Sequence, residues 1–225
     1  MDVLFINPSI KKETQHPLFT AMVFSCLPLG LGYIAAYLRQ ERNIHPVIID
    51  EVVRPWADDD VEREFGSRQG PLLVGFSCLT GTYARAVELA AKIKGINQDV
   101  FIVFGGAHPS ALPEESLATG VVDAVVRGEG EISILELYDA VRDHRDCAGI
   151  QGVSYVKNGS VVHNPPRGYT DLDILPEFPY DLFEQDMRLY SDFGTLLTSR
   201  GCPFDCIFCS NRIVTGKKYR AFKIS

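Results

Sequence analysis

Three of the six cysteines in this 225-residue chain lie between positions 202 and 209, in the stretch SRGCPFDCIFCSNR that runs from Ser199 to Arg212. Cys202, Cys206 and Cys209 are spaced C-x3-C-x2-C. A structural zinc site normally takes four ligands, and no further Cys or His follows Cys209. A redox dithiol uses a single C-x-x-C and leaves Cys202 without a part. Three thiolates can instead hold three irons of a 4Fe–4S cluster, leaving the fourth iron open to a substrate or cofactor. An incomplete zinc site, or thiols with no metal, stays open beside that reading.

A second set of residues is suited to binding rather than bond-making. Ser77-Cys78-Leu79-Thr80-Gly81, Gly105-Gly106-Ala107-His108-Pro109 and Arg127-Gly128-Glu129-Gly130-Glu131 each follow a short apolar run. Small residues there let a ligand approach the backbone, although turns also favour Gly and Ser. No nucleophilic triad can be argued, because Ser77 lacks the G-x-S-x-G frame.

The elements that position these residues alternate. VLFIN (Val3 to Asn7), HPVIID (His45 to Asp50), LLVGFS (Leu72 to Ser77), FIVFG (Phe101 to Gly105) and AVV (Ala124 to Val126) read as strands covered on both faces. Helical periodicity runs over Leu31 to Glu41, Thr82 to Lys94 and Glu131 to Arg142. A weaker acidic helix covers Asp58 to Phe65, and a short one follows Pro113. The expected fold is α/β, a flavodoxin- or Rossmann-like doubly wound parallel sheet of five strands in the order 2-1-3-4-5. Ligands of such sheets sit outside the carboxyl ends of the strands, where the three loops fall. The loop from Pro8 to Leu27 is long enough to expect a function for it.

Beyond Cys147, GVSYVKNGSVVHN predicts a hairpin from Gly152 to Asn164 turning at Asn158-Gly159. PPRGYTDLDILPEFPYDLF is a linker or extended strap, and TLLTS (Thr195 to Ser199) a strand feeding the cysteine loop. The expected division is 1–147, then 148–193 as hairpin and linker, then 194–225 as the start of a second domain.

The chain is 46% apolar and 23% charged with a net charge of -7, which argues against nucleic acid and basic membrane contact. No apolar run reaches the roughly 18 residues of a membrane span, and the N-terminus lacks a secretory signal. Cytoplasmic residence is expected, with Cys26, Cys78 and Cys147 as buried structural thiols.

The strand, the SRG and the C-x3-C-x2-C loop with Phe208 before its last Cys resemble the opening of a radical S-adenosylmethionine (radical SAM) domain. In that family the open iron chelates S-adenosylmethionine, and an electron from the cluster cleaves it to a 5′-deoxyadenosyl radical. The resemblance implies Cys202, Cys206 and Cys209 as cluster ligands. It also implies a reductant such as flavodoxin or ferredoxin for the whole enzyme. Only Lys217 to Ser225 follow the loop region, so the chain is expected to be a truncated piece that does not cleave S-adenosylmethionine alone.

S-x-L (Ser77, Leu79) and G-G (Gly105, Gly106) are similar to two of the three signatures of cobalamin-binding flavodoxin-like domains. PLGLGYIAAYL (Pro28 to Leu38), GGAHPSALPEE (Gly105 to Glu115) and VVRGEGE (Val125 to Glu131) resemble the run of motifs that precedes many radical SAM barrels. The resemblance implies that Ser77 or Thr80 hydrogen-bonds the cobalamin nucleotide tail and that Gly105-Gly106 leaves room for it. Gly128 and Glu129 join them as cofactor-binding candidates, and His108 lies near the corrin edge or packs at a helix entry. Glu129 and Glu131 could each cap the following helix or contact cofactor amides, with capping the favoured expectation for Glu131.

The third signature, D-x-H-x-x-G, fails at both ends in Thr14-Gln15-His16-Pro17-Leu18-Phe19. Without the Asp, an imidazole ligand loses its usual second-nitrogen partner. A cobalt without a protein histidine is therefore expected, with His16 an ordinary loop residue. Methyl transfer or oxidative cyclisation is the implied chemistry. The rival readings are a docking or substrate-presenting domain that no longer holds cobalamin, and a domain that binds a nucleotide or flavin.

Overall fold

The computed structural model describes residues 1–10, 25–68 and 70–223. His16, and most of the long loop from Pro8 to Leu27 for which a function is expected, lie outside the described residues.

Strands β1 (Asp2–Asn7), β2 (Val47–Asp50), β3 (Leu72–Ser77), β4 (Val100–Gly105) and β5 (Ala124–Val126) are parallel in the order β2-β1-β3-β4-β5. Their side chains alternate between two cores, as the period of two requires. Val3, Phe5, Leu73 and Val103 face helices α1 (Leu29–Arg42) and α6 (Glu131–Arg142). Leu4, Ile6, Val74 and Phe104 face α2 (Asp58–Gly66) and α3 (Tyr83–Ile96). Both faces are covered, so the strand sequences carry no polar alternation. Two short helices, α4 (Ala107–Ala111) and α5 (Pro113–Ala118), connect β4 to β5.

The sheet has seven strands, not the five expected. The hairpin forms at the predicted place as β6 (Val153–Lys157) and β7 (Ser160–His163), turning through Asn158 and Gly159 at positive φ. β6 pairs antiparallel with β5, for example Val126 opposite Val153, so the hairpin extends the main sheet. Annealing there pairs the β5 edge, which would otherwise be open.

The stretch expected as a linker or strap is a packed strap. It contains two 3-10 segments, Leu172–Ile174 and Tyr180–Leu189. Leu172, Leu175, Phe178, Phe183 and Tyr190 are buried in the same core as α1 and α6. Tyr33 and Phe178 meet edge to face at 5.4 Å between ring centroids, and the Tyr190 hydroxyl donates to Asp50 Oδ2 at 3.0 Å.

The strand expected over Thr195 to Ser199 begins only at Ser199. β8 (Ser199–Arg200) pairs antiparallel with β9 (Arg220–Ala221), and α7 (Asn211–Val214) lies between them. Cys78 and Cys147 are buried, but Cys26 is exposed, which corrects the expectation of three buried thiols. Cys26 precedes the core residue Leu27 and stays outside the packed face.

Candidate functional site

β3, β4 and β5 end at one level, with Ser77 in register with Gly105. A cavity of about 420 Å³ begins there and runs between the sheet and the α1/α6 layer. Phe5, Val103 and Val126 form its sheet wall, and Leu31, Ile34 and Ile134 the helix wall. Leu197, Arg200 and Val214 close it from the segment around the cysteine loop. That volume lies within the roughly 300–1,000 Å³ range of ligand pockets, and the mainly apolar lining is also typical.

Two neighbouring glycines shape the rim for different reasons. Gly106 has φ +96, and a Cβ there would lie 2.7 Å from the Cys78 carbonyl oxygen. That contact follows from two hydrogen bonds: the Cys78 N–H donates to Gly105 at 2.7 Å, and the His108 N–H donates to Cys78 at 3.2 Å. Gly106 is therefore demanded by the backbone. Gly105 is not, since a Cβ there would meet only ordinary contacts, the nearest 3.7 Å away at the Val126 carbonyl. Gly30 in α1 also lines the cavity and would have nothing within 4 Å of an added Cβ. A glycine in a helix costs about 1 kcal/mol against Ala. Packing therefore requires neither Gly30 nor Gly105 at the cavity wall.

Of the sequence-predicted residues, Ser77, Gly105, Gly106, Gly128 and Glu129 line this cavity. Leu79, Thr80 and His108 are not in its wall. Leu79 is 60% exposed. The His108 ring lies against Tyr83 with centroids 4.0 Å apart, and its Nδ1 is 3.3 Å from Thr80 Oγ1. His108 thus packs against the segment that follows β3.

Glu129 is committed to the protein. Arg220 donates to it from Nη2 at 2.6 Å and Nη1 at 2.9 Å, and the Thr170 N–H donates at 2.9 Å. Burial acts to raise its pKa, but the Arg220 and Thr170 hydrogen bonds and the charge of Arg200 outweigh it, holding the carboxyl below its ordinary range. Glu131 does not cap α6 through its side chain. Gly130 is the N-cap, and Glu131 is buried against Arg200, whose Nη2 donates to Oε1 at 2.6 Å. Arg200 also lies over the Tyr33 ring at 5.4 Å. Burial acts to lower the Arg200 pKa, and Glu131 and Glu129 more than reverse it.

Arg200 and Arg220 were missed from sequence. Arg200 stands in the SRG before Cys202, a position with a visible motif, but its partner is 69 residues away.

The cysteine loop adjoins the cavity through Gly201. The Cys202 N–H donates to Gly216 and the Cys209 N–H to Cys206, both at 3.1 Å. Cys202 is half-buried, while Cys206 and Cys209 are exposed, as are Ile207 and Phe208. Among the described residues no three His, Cys, Asp or Glu side chains are gathered to hold a metal ion. The loop carries the cluster spacing without the cluster geometry.

A family model described as the B12 binding domain matches residues 16–137, more than half of the chain. Over 202 residues the chain is 38% identical to an uncharacterized methyltransferase of Pyrococcus horikoshii, covering 88% of this chain and 43% of that protein. It is 29% identical to the anaerobic magnesium-protoporphyrin IX monomethyl ester cyclase of Rubrivivax gelatinosus, over 93% of this chain and 38% of the cyclase. The chain therefore spans less than half the length of either relative. The structure of the cobalamin-dependent S-adenosylmethionine radical enzyme OxsB, with aqua-cobalamin and S-adenosylmethionine bound, superposes with a TM-score of 0.80 at 23% identity. That match covers 98% of this chain and 30% of OxsB. It shows a shared fold that extends past the sheet into the segment carrying the cysteines.

Proposed function

The chain belongs to the B12-binding domain family, and we propose that it is the cobalamin-binding part of a radical SAM enzyme that methylates or oxidatively cyclises its substrate. The observation that carries the reading is the cavity at the ends of β3, β4 and β5, with Gly30 and Gly105 left small where packing does not require it.

The residues fit the group. A slot of about 420 Å³ takes the nucleotide end of cobalamin but not the corrin, which would lie outside the strand ends. The slot walls orient the tail and exclude water from it, and the Ser77 hydroxyl at the rim offers a donor and an acceptor. Bound cobalamin supplies the cobalt redox and alkyl-transfer chemistry.

Cys202, Cys206 and Cys209 are proposed as ligands of a 4Fe–4S cluster that serves S-adenosylmethionine. Their spacing supports this, while the described arrangement leaves the thiols apart. The chemistry of the whole enzyme, its reductant of the flavodoxin or ferredoxin class and its place in the cytoplasm belong to the same proposal. Among the described residues no helix is long and apolar enough to cross a membrane.

The test is anaerobic addition of hydroxocobalamin followed by gel filtration and an absorbance spectrum. Co-elution of one corrinoid per chain is expected. A folded chain that elutes without corrinoid would overturn the reading and leave a docking domain in its place.

A further inference from the structure

We propose that Glu131 is a binding residue for the nucleotide end of the corrinoid, with its second carboxylate oxygen accepting a hydrogen bond from a ribose hydroxyl. The proposal rests on the reading that the cavity holds that end of cobalamin.

Glu131 lines the cavity and is 2% exposed. Oε1 is occupied by Arg200 at 2.6 Å. Oε2 is buried and has no hydrogen-bond partner among the described residues. Buried carboxylate oxygens nearly always have a donor, because an ionised carboxylate offers about four acceptor positions and loses its water on burial. The neighbouring carboxylate in the same wall shows the usual outcome, since Glu129 takes donors from both Arg220 nitrogens and from Thr170. Glu131 has one matched and one unmatched oxygen in a wall otherwise made largely of apolar side chains and glycine.

The charge has a place in this arrangement. Arg200, itself 8% exposed, pairs with Glu131 and is braced by the Tyr33 ring, so the carboxylate is held in one orientation before any ligand arrives. A fixed acceptor of this kind favours a hydroxyl donor and disfavours an anion. In the nucleotide loop of cobalamin that distinction separates the ribose, which carries donors, from the phosphate, which carries none and is negative. Glu131 would therefore set the depth at which the tail stops, with its phosphate kept toward the rim.

The test compares cobalamin with cobinamide, which keeps the corrin and lacks the nucleotide, by absorbance titration of the full chain. Glu131→Gln keeps an acceptor for Arg200 and changes the unmatched atom from acceptor to donor. The pair Glu131→Leu with Arg200→Met removes the acceptor without leaving a buried charge alone. In both, thermal unfolding of the ligand-free protein checks the fold.

The expected result is a preference for cobalamin over cobinamide in the natural chain that falls by roughly tenfold to a hundredfold in the variants, the range for a hydrogen bond to a charged group. Cobinamide affinity is expected to stay unchanged. Variants that keep the full preference would overturn the inference and leave Oε2 to an ordered water. A natural chain that binds neither corrinoid would instead overturn the cobalamin reading.

Discussion

Arg220 Nη2 lies 2.6 Å from Glu129 Oε1, joining residues 91 positions apart. With Nη1 at 2.9 Å from Oε2, the guanidinium forks onto both carboxylate oxygens and ties β9 to the loop after β5. The segment carrying the three cysteines leaves from β8 and returns at β9, so this pair is one of its anchors and Arg200–Glu131 is another. Arg220→Ala would leave the buried Glu129 side chain with only Arg200, at 3.6 Å, as a cation. Breaking a buried pair from one side costs about 3–5 kcal/mol, and urea denaturation is expected to show a loss of that order. A change under 1 kcal/mol would mean that the anchor is not holding.

Acid acts on the same anchor. The Glu129 carboxyl is held below its ordinary value of 4.5, despite the upward pull of burial, by Arg220, Thr170 and Arg200. A folded pKa below the unfolded one contributes stability that is complete above that ordinary value and is lost as pH falls through the folded value. Limited proteolysis between β8 and β9 is expected to accelerate on acidification below that point, and less so in Arg220→Ala, where the part of the shift due to Arg220 is gone. An equal acid response in both proteins would assign it to other groups.

The two glycines of the β4 loop are expected to respond differently. Gly106→Ala places a Cβ at φ +96 and 2.7 Å from a carbonyl oxygen. Backbone strain of that kind costs about 1–3 kcal/mol, so the melting temperature should fall. Gly105→Ala should leave it nearly unchanged. Equal effects would mean that the Cys78–Gly105 and His108–Cys78 hydrogen bonds do not fix this turn.

Thiol labelling separates five of the six cysteines. Burial raises the Cys78 thiol and, with the charge of Asp146 added, pushes Cys147 up to about 11. Neither is expected to react with iodoacetamide at pH 8 in the folded chain. Cys206 and Cys209 are exposed and should label rapidly, with half-buried Cys202 slower. Mass spectrometry reads the order directly, and early labelling of Cys147 would contradict the packing of α6 against the hairpin.

Asp50 is a buried carboxylate whose pKa is raised, chiefly by burial, against hydrogen bonds from Asn7, Val52 and Tyr190. Such a group favours the folded state below its unfolded pKa, and that contribution is lost as pH rises through the folded value. Asp50→Asn keeps an acceptor for Asn7 at 2.9 Å and Val52 at 3.0 Å, while the Tyr190 hydroxyl can turn to accept. The melting temperature at neutral pH is expected to hold or rise. A large fall would show that the charge itself stabilises the fold.

The sheet was legible because its parallel strands are apolar through their interiors, with polar residues only at their ends. Val3 and Phe5 serve one core, Leu4 and Ile6 the other, and only a doubly covered strand reads that way. The rim was legible too, since Ser77, Gly105, Gly106 and Gly128 end or follow adjacent strands. The strap was only half legible, because Leu172, Leu175, Phe178, Phe183 and Tyr190 fill space beside α1 with no regular period. The partners of Glu129 and Glu131 were not legible because Arg220 and Arg200 reach them from the far end of the chain. Nothing in a local pattern marks such a pair.

The central claim is that the cavity at the ends of β3, β4 and β5 receives cobalamin, and Gly105→Leu tests it most directly. That side chain grows into the cavity from a position where the backbone tolerates a Cβ. Calorimetric titration with hydroxocobalamin should give one site per natural chain and at least roughly a hundredfold weaker binding in Gly105→Leu, with the melting temperature largely kept. Unchanged affinity in a folded Gly105→Leu protein would place the corrinoid elsewhere and contradict the account.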